Sequence, residues 1–293
     1  MLRIEAVSKA FRGGKYGVRD LSFEARPGVL GLLGPNGAGK TTFMQMIATV
    51  TRPTAGRILF DGVDVVKDPE AIRRRLGYLP QDFGVYDNLT AFELLDYVAR
   101  LKGVRSRARV NEMLQMVNLH TVANRPLGSF SGGMRQRLGI AQALVSDPDL
   151  VIVDEPTAGL DPEERVRFRN VLSDISGRRL VILSTHIVSD VESIAGEIAV
   201  VREGRLLASG PPEALLRAAE GSAWEAVVSS AELERRRAEL TVSGMVRRAD
   251  GVHLRLVAKE RPLPQAAPVG PDLEDAYLYL MQSQSPSRAA VVA

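Results

Sequence analysis

The 293-residue chain has no cysteine, which excludes a disulfide framework, a thiolate zinc site and a cysteine nucleophile whatever the fold. Histidine is nearly as scarce, with three in all: His120, His186 and His253. Long apolar runs are missing. Stretches such as Leu150–Val153 and Leu180–Leu183 are four residues each, against about 20 for a membrane-crossing helix. No block of like charge stands out either. The whole chain carries 38 Lys+Arg and 35 Asp+Glu, a net +3. From Glu220 onward there are 9 basic and 10 acidic residues, so the body holds +4 and the tail −1. That balance argues against a nucleic-acid-binding arm. Met1–Val7 alternates polar and apolar residues and lacks the pattern of an export signal, and no internal repeat is visible. What is present is ordinary globular composition, 45% hydrophobic and 25% charged, at a length that suits one large domain and a small appendage. A reducing, cytoplasmic setting agrees with the lack of cysteine.

Short apolar or alternating segments predict strands at Leu2–Val7, Val18–Phe23, Val29–Leu33, Arg57–Phe60, Leu76–Leu79, Leu150–Val153, Leu180–Leu183, Ile198–Val201 and Arg205–Ala208. Helices are expected at Thr41–Val50, Thr90–Arg100, Arg107–Val117, Ser131–Val145, Glu163–Ile175 and Ile187–Ile194. The alternation predicts an α/β fold with a parallel sheet. Residues 88–129 carry no strand signal and read as an inserted helical subdomain. After Gly210-Pro-Pro212 the texture changes. A short helix (Glu213–Ala219), strands at Trp224–Ser229, Gly244–Arg248 and Val252–Ala258, a charged helix Ala231–Leu240, a Pro-rich link Arg261–Pro271 and a last helix Leu273–Met281 suggest a small α+β domain over 211–293, with Ser283–Ala293 frayed.

Chemistry concentrates at four places. Gly34-Pro35-Asn36-Gly37-Ala38-Gly39-Lys40-Thr41-Thr42 follows a strand and opens a helix. Its glycines allow backbone N–H groups to surround phosphate oxygens, Lys40 reaches the β/γ-phosphates, and Thr41 offers a hydroxyl to Mg²⁺. Asp154 and Glu155 end an apolar strand, where Asp154 can hold Mg²⁺ and Glu155 can orient or deprotonate an attacking water. His186 ends another such strand and is placed to meet a γ-phosphate or that water, whereas His120 and His253 read as surface or packing residues. Finally, Ser131-Gly132-Gly133 opens a helix with a cap and two glycines, a second anion-binding start in a chain that already has one.

Together these motifs resemble the ATP-binding subunit of ABC transporters, over about Leu2–Gly210. Gly34–Thr42 resembles the Walker A loop, Gln81 the Q-loop glutamine, Phe130-Ser-Gly-Gly-Met134 the signature, Leu150–Glu155 Walker B with its catalytic glutamate, Ala158-Gly-Leu-Asp161 the D-loop, and His186 the switch histidine. Lys40, Gln81, Ser131, Asp154 and His186 succeed one another at spacings of 41, 50, 23 and 32 residues. The signature departs from the usual Leu-Ser-Gly-Gly-Gln, so Met134 brings no polar contact. Phe11, 29 residues before Lys40, and Tyr16 are the candidates to stack on adenine, with Phe11 the better placed and a plain core aromatic the alternative.

The resemblance implies a P-loop NTPase fold with a mixed or parallel sheet core, an N-terminal antiparallel β part and an inserted helical subdomain. It implies ATP and Mg²⁺ as cofactors, with Thr41, Gln81 and Asp154 toward the metal and Glu155, His186 and Gln81 in catalysis. It also implies a head-to-tail pair of ATPase subunits, in which Ser131–Gly133 and Asp161 serve the partner's ATP, and an integral-membrane permease in a separate chain. The subunit would then sit on the cytoplasmic face of the membrane through that permease, with Phe83, Val85 and Tyr86 in a docking groove or in local core. Gly84–Glu93, the Met134 signature and Leu273–Leu280 look like ABC-2 type multidrug or antibiotic exporters. ABC importers are the nearest alternative, and ABC proteins of ribosomes or nucleic acid a distant one.

Overall fold

A computed structural model describes residues 1–81, 83–84, 86–157, 160–282 and, for the backbone, 290–291. Two compact units result, Met1–Glu197 with Val201–Arg205, and Ile198–Val200 with Leu206–Ala293. The elements run β1 (Leu2–Ala10), β2 (Tyr16–Ala25), β3 (Gly28–Leu33), α1 (Lys40–Ile47), β4 (Ala55–Phe60), β5 (Val63–Asp64), α2 (Pro69–Arg74), β6 (Leu76–Leu79), α3 (Ala91–Leu101), α4 (Arg107–Met116), α5 (Gly132–Leu144), β7 (Leu150–Asp154), α6 (Pro162–Ile175), β8 (Leu180–Thr185), α7 (Val188–Glu192), β9 (Glu197–Arg202) and β10 (Arg205–Gly210). They continue with α8 (Pro212–Ala218), β11 (Ala223–Val228), α9 (Ser230–Arg236), β12 (Val242–Arg248), β13 (Gly251–Val257), β14 (Ala267–Val269) and α10 (Leu273–Gln282).

In the first unit an antiparallel sheet in the order β2-β1-β4-β5 stands beside a parallel core in which β3 pairs with β8, β8 with β7 and β7 with β6. β7 and β8 are buried along their whole length, as continuous apolar strands of a parallel sheet must be. The parallel order brings the carboxyl ends of β3, β8 and β7 to one edge, where open α/β sheets bind ligands. α1 rests on the core through Phe43, Met44, Met46 and Ile47, and the Phe43 ring lies 5.7 Å from that of Phe23 on β2.

The 88–129 region is helical as expected, with only an isolated bridge between Thr90 and Pro126. A Thr90–Glu93 capping box starts α3: Thr90 Oγ1 accepts from the Glu93 N–H at 3.2 Å, and Glu93 Oε2 accepts from the Thr90 N–H at 2.8 Å. α3, α4 and α5 pack on one another, and α5 also packs on β6.

In the second unit the sheet order is β12-β13-β11-β14. Its core gathers Ala226, Val228, Leu233, Val252, Leu254, Leu256, Leu263 and Ala266, with Trp224 packed against it and donating Nε1–H to the Ala258 carbonyl at 3.0 Å. Arg255 pairs with the buried Asp275 at 2.7 Å and with Asp272 at 3.1 Å, which pins α10 to β13.

Three short elements escape the sequence reading. α2 is six residues with a single buried side chain, Ile72, although Asp68 caps it and Pro69 opens it. β5 is two residues long. β14 lies inside the Pro-rich link, where Pro268 is tolerated because β14 is an edge strand. α9 ends at Arg236 rather than Leu240. In the stretch expected to fray, Ala290–Val291 pair in parallel with Ala208 and Ser209 of β10, and its remaining residues lie outside the described ones. Among the described residues no helix is long and apolar enough to cross a membrane.

Phe43 is 1% exposed, so Phe43→Ala is expected to cost about 3–5 kcal/mol through lost burial and the cavity left behind, read as a lower midpoint in far-UV unfolding.

Candidate functional site

β3 delivers the chain at Leu33 into Gly34–Gly39, which turns into α1 at Lys40. Two glycines are required there by sterics. Gly39 has φ 103°, and a Cβ on it would stand 2.0 Å from the Gly17 carbonyl oxygen; a Cβ on Gly34 would stand 2.3 Å from that of Val201. Gly39 caps α1 without a side-chain acceptor, and the first turn holds no acidic residue. The N–H groups of that turn therefore remain for an anion, favoured by the helix dipole.

Lys40 is 5% exposed. Its Nζ donates to the carbonyls of Gly34 at 2.7 Å and Pro35 at 3.2 Å and lies 3.2 Å from Glu155 Oε1. Glu155 follows β7 with φ 46°, an unfavourable region for a non-glycine residue. Its N–H is held by the Ser184 carbonyl at 3.1 Å and the Ser184 hydroxyl at 3.2 Å. The other carboxylate oxygen, Oε2, lies 2.8 Å from His186 Nδ1. With an ionised carboxylate as acceptor, Nδ1 carries the proton and Nε2 is the nitrogen left to face a ligand.

Asp154 is wholly buried. Its Oδ1 accepts from the Ser184 hydroxyl at 2.5 Å, while Oδ2 has no direct hydrogen-bond partner. Burial pushes its pKa up, against the pull of the Ser184 and Thr41 hydroxyls; the Glu155 carboxylate adds to the rise and the Lys40 ammonium opposes it. The same neighbourhood pushes the Tyr78 phenol up to about 12, through burial and the charge of Asp154. A buried carboxylate with one oxygen left without a hydrogen-bond partner, in a neighbourhood that also holds the Thr41 hydroxyl, fits a hard cation with oxygen ligands. Among the described residues no three His, Asp or Glu side chains gather into a metal cage. Mg²⁺ usually takes one or two carboxylates and completes its shell with water and substrate phosphates, a demand that Asp154 with the Thr41 hydroxyl can meet.

A cleft of about 630 Å³ opens over the loop, lined by Phe11, Arg12, Lys15, Tyr16, Gly17, Asn36–Thr42, Gln81 and Glu155. Phe11 and Tyr16 both stand in it, 48% and 46% exposed, so Phe11 is not a core aromatic. Arg12 and Lys15 are additions that sequence reasoning missed; the signal was available as two cations flanking Gly13-Gly14. Ser131, Gly132, Gly133 and Asp161 do not line this cleft. They form a second cluster, with Ser131 capping α5 by accepting from the Met134 N–H at 3.2 Å and Asp161 capping α6 by accepting from the Glu164 N–H at 2.9 Å. A Cβ on Gly133 would lie 3.5 Å from Leu160 and 3.9 Å from Glu164, and one on Gly132 would meet no described atom within 4 Å. Phe83 lies against Gly139 of α5, and Tyr86 is 68% exposed. Asp82, Val85, Ala158 and Gly159 lie outside the described residues.

Residues 18–158 match the sequence profile of the ABC transporter family. The Nod factor export ATP-binding protein I of Burkholderia pseudomallei (strain 1710b) is 39% identical over 218 residues, covering 71% of this chain and 70% of the relative. This chain belongs to the ABC transporter ATP-binding family. The daunorubicin resistance ATP-binding protein DrrA3 of Streptomyces coeruleorubidus is 37% identical over 211 residues, covering 71% of this chain and 67% of the relative. Among solved structures, the dimeric post-hydrolysis ATP-binding cassette MJ0796 bound to ADP and Pi superposes with a TM-score of 0.67 at 25% identity, covering 72% of this chain and 98% of that one. As an ABC protein the chain is the ATP-binding, ATP-hydrolysing subunit of a transporter.

Two substitutions test the site. Lys40→Ala is expected to weaken ATP binding ten- to a hundredfold, roughly the worth of one or two charge-assisted hydrogen bonds, as measured by calorimetric titration. Asp154→Asn should lower ATP turnover about 100-fold or more yet raise the melting temperature of the ligand-free protein at neutral pH. The native Asp154 carboxyl holds its proton more tightly than the unfolded chain does, so ionising it as pH rises costs stability. The gain from asparagine should therefore shrink toward acid pH, which a series of melting curves would read.

Proposed function

We propose that the chain powers an ABC-2 type exporter, with ATP and Mg²⁺ held between two copies arranged head to tail. The observation that carries the pairing is the separation of two anion-binding helix starts. α1 opens into the cleft with Lys40 and Glu155, while Ser131–Gly133 and Asp161 lie outside its lining, with Ser131 and Gly132 exposed. One chain thus offers half of each of two sites. The second cluster has a use once a partner's ATP comes to rest on it, and that also gives Gly132 a reason to lack a side chain. The export assignment leans on relatives named for Nod factor export and daunorubicin resistance.

In this reading Phe11 stacks on adenine, and the N–H groups of residues 34–42 with Lys40 hold the phosphates. Thr41, Asp154 and Gln81 hold Mg²⁺, which when bound neutralises charge on the β- and γ-phosphates. Glu155 orients the attacking water and receives its proton. His186, its Nδ1 fixed on Glu155, turns Nε2 toward the γ-phosphate. Loss of the γ-phosphate removes the bridge between the two copies, so hydrolysis opens the dimer. Residues 1–210 form the ATPase domain and 211–293 an accessory domain. Transport itself requires a separate integral-membrane permease, through which the subunit sits on the cytoplasmic face of the membrane, with the exposed Tyr86 near the surface that receives it.

Glu155→Gln should bind ATP without turning it over and run as a dimer in size exclusion when ATP is present. Wild-type turnover, or a monomer with ATP bound, would overturn the mechanism. Pull-down of the protein from membranes in mild detergent should bring a polytopic permease with it.

A further inference from the structure

The contact between Glu155 and His186 joins two loops that leave neighbouring strands, β7 and β8. β8 anchors their first residues, through Ser184 to the Glu155 N–H and through the Thr185 hydroxyl to the Ile187 N–H. Farther out the loops depend on their own packing. Both segments are irregular where they must be exact in space. Glu155 sits at φ 46°, and α7, which follows His186, is five residues long and begins at Ile187 with no side-chain cap. A helix that short is not stable by itself and takes its position from its packing. Val191 is fully buried, and its Cγ1 lies 2.7 Å from where a Cβ on Gly31 would stand, which holds the far end of α7 against β3. Arg169 of α6 donates to the Ser189 carbonyl at 3.0 Å.

Between those points lies a polar contact that neither the phosphate chemistry nor the subunit pairing uses. Thr157, two residues beyond Glu155, donates its hydroxyl to Asp190 Oδ2, four residues beyond His186, at 2.6 Å. The two side chains are 2% and 1% exposed. A short hydrogen bond from a hydroxyl to a buried carboxylate is strong and directional, and leaving either group without a partner there would be costly. It therefore acts as a staple. Thr157 and Asp190 can be buried together only when the loop after β7 and the start of α7 are in one particular register, and that register brings the Glu155 carboxylate to His186.

We propose that Thr157 and Asp190 are positioning residues that clasp the two loops and hold Glu155 against His186, so that the rate of ATP hydrolysis depends on them and the affinity for ATP does not. The inference rests on the assignment of Glu155 and His186 to hydrolysis. ATP affinity is set mainly by the loop over α1 and the cleft around Phe11, whose lining includes neither Thr157 nor Asp190. Hydrolysis instead needs a carboxylate and an imidazole aligned to within a fraction of an ångström, and displacement of about 1 Å costs up to ~100-fold.

The test measures kcat, KM and ATP affinity on the full chain. Thr157→Val keeps the shape and removes the donor; it should lower kcat about tenfold or more with KM and affinity within about twofold of wild type. Thr157→Ser, which restores the hydroxyl, should recover most of the rate. Because Thr157→Val leaves Asp190 without this donor, the double variant Thr157→Val/Asp190→Ala removes both polar groups and, with its folding checked by a melting curve, should show the same loss of kcat. On a His186→Ala background Thr157→Val should have little further effect, since the contact it supports is already gone; a merely structural role would multiply the two losses. Wild-type kcat in both Thr157→Val and the double variant, with turnover lost in Glu155→Gln, would overturn the clasp and leave the assignment of Glu155 standing. Wild-type turnover in Glu155→Gln would overturn both.

Discussion

One carboxylate, that of Glu155, takes the nearly buried ammonium of Lys40 on one oxygen and the ring of His186 on the other. Glu155 and His186 follow the carboxyl ends of β7 and β8, and Lys40 opens the helix reached by the loop from the carboxyl end of β3. The parallel order β3-β8-β7 makes those ends adjacent. Burying an ammonium is expensive unless it is both paired and hydrogen-bonded. Lys40 meets that condition only because the loop before it turns two carbonyls inward. Loop shape, strand order and side-chain charge are thus three aspects of one constraint, and the close backbone approaches at Gly34 and Gly39 are what make it attainable.

Asp154 represents the opposite choice. Its carboxylate is buried beside a second carboxylate, with one oxygen left without a partner. A fold selected for stability alone would place an apolar residue or an amide there. The unfavourable ionisation is the sort of local cost found at functional sites. The fold bears that cost on strands that are buried along their full length.

Much of this was legible in the chain. The phosphate loop could be read because strand, glycines, lysine and helix follow one another without interruption, so local sequence alone defines the geometry. Asp154, Glu155 and His186 could be read because each ends an apolar run whose direction sets its edge. Contacts between distant segments were harder. Thr157 and Asp190 are ordinary residues whose meaning arises from a register that no local pattern encodes. The orphaned oxygen of Asp154 depends on what does not approach it, which only packing decides. α2 and β14 were missed because one buried side chain in six residues, or three residues containing a proline, give too little periodicity to register. Arg12 and Lys15 were missed because two cations around Gly13-Gly14 carry no local sign of the phosphate loop they stand beside.

Trp224 is the chain's only tryptophan and belongs to the second unit, where its indole is half-buried and hydrogen-bonded to the Ala258 carbonyl. The aromatic rings at the nucleotide cleft are phenylalanine and tyrosine. Emission excited at the red edge of the absorption band therefore comes wholly from the second unit. ATP entering the cleft meets no fluorophore that responds at that wavelength, so any change in intensity or colour on adding nucleotide is a signal that residues after β10 have sensed it. The protein is in that respect already labelled for asking what its smaller unit does.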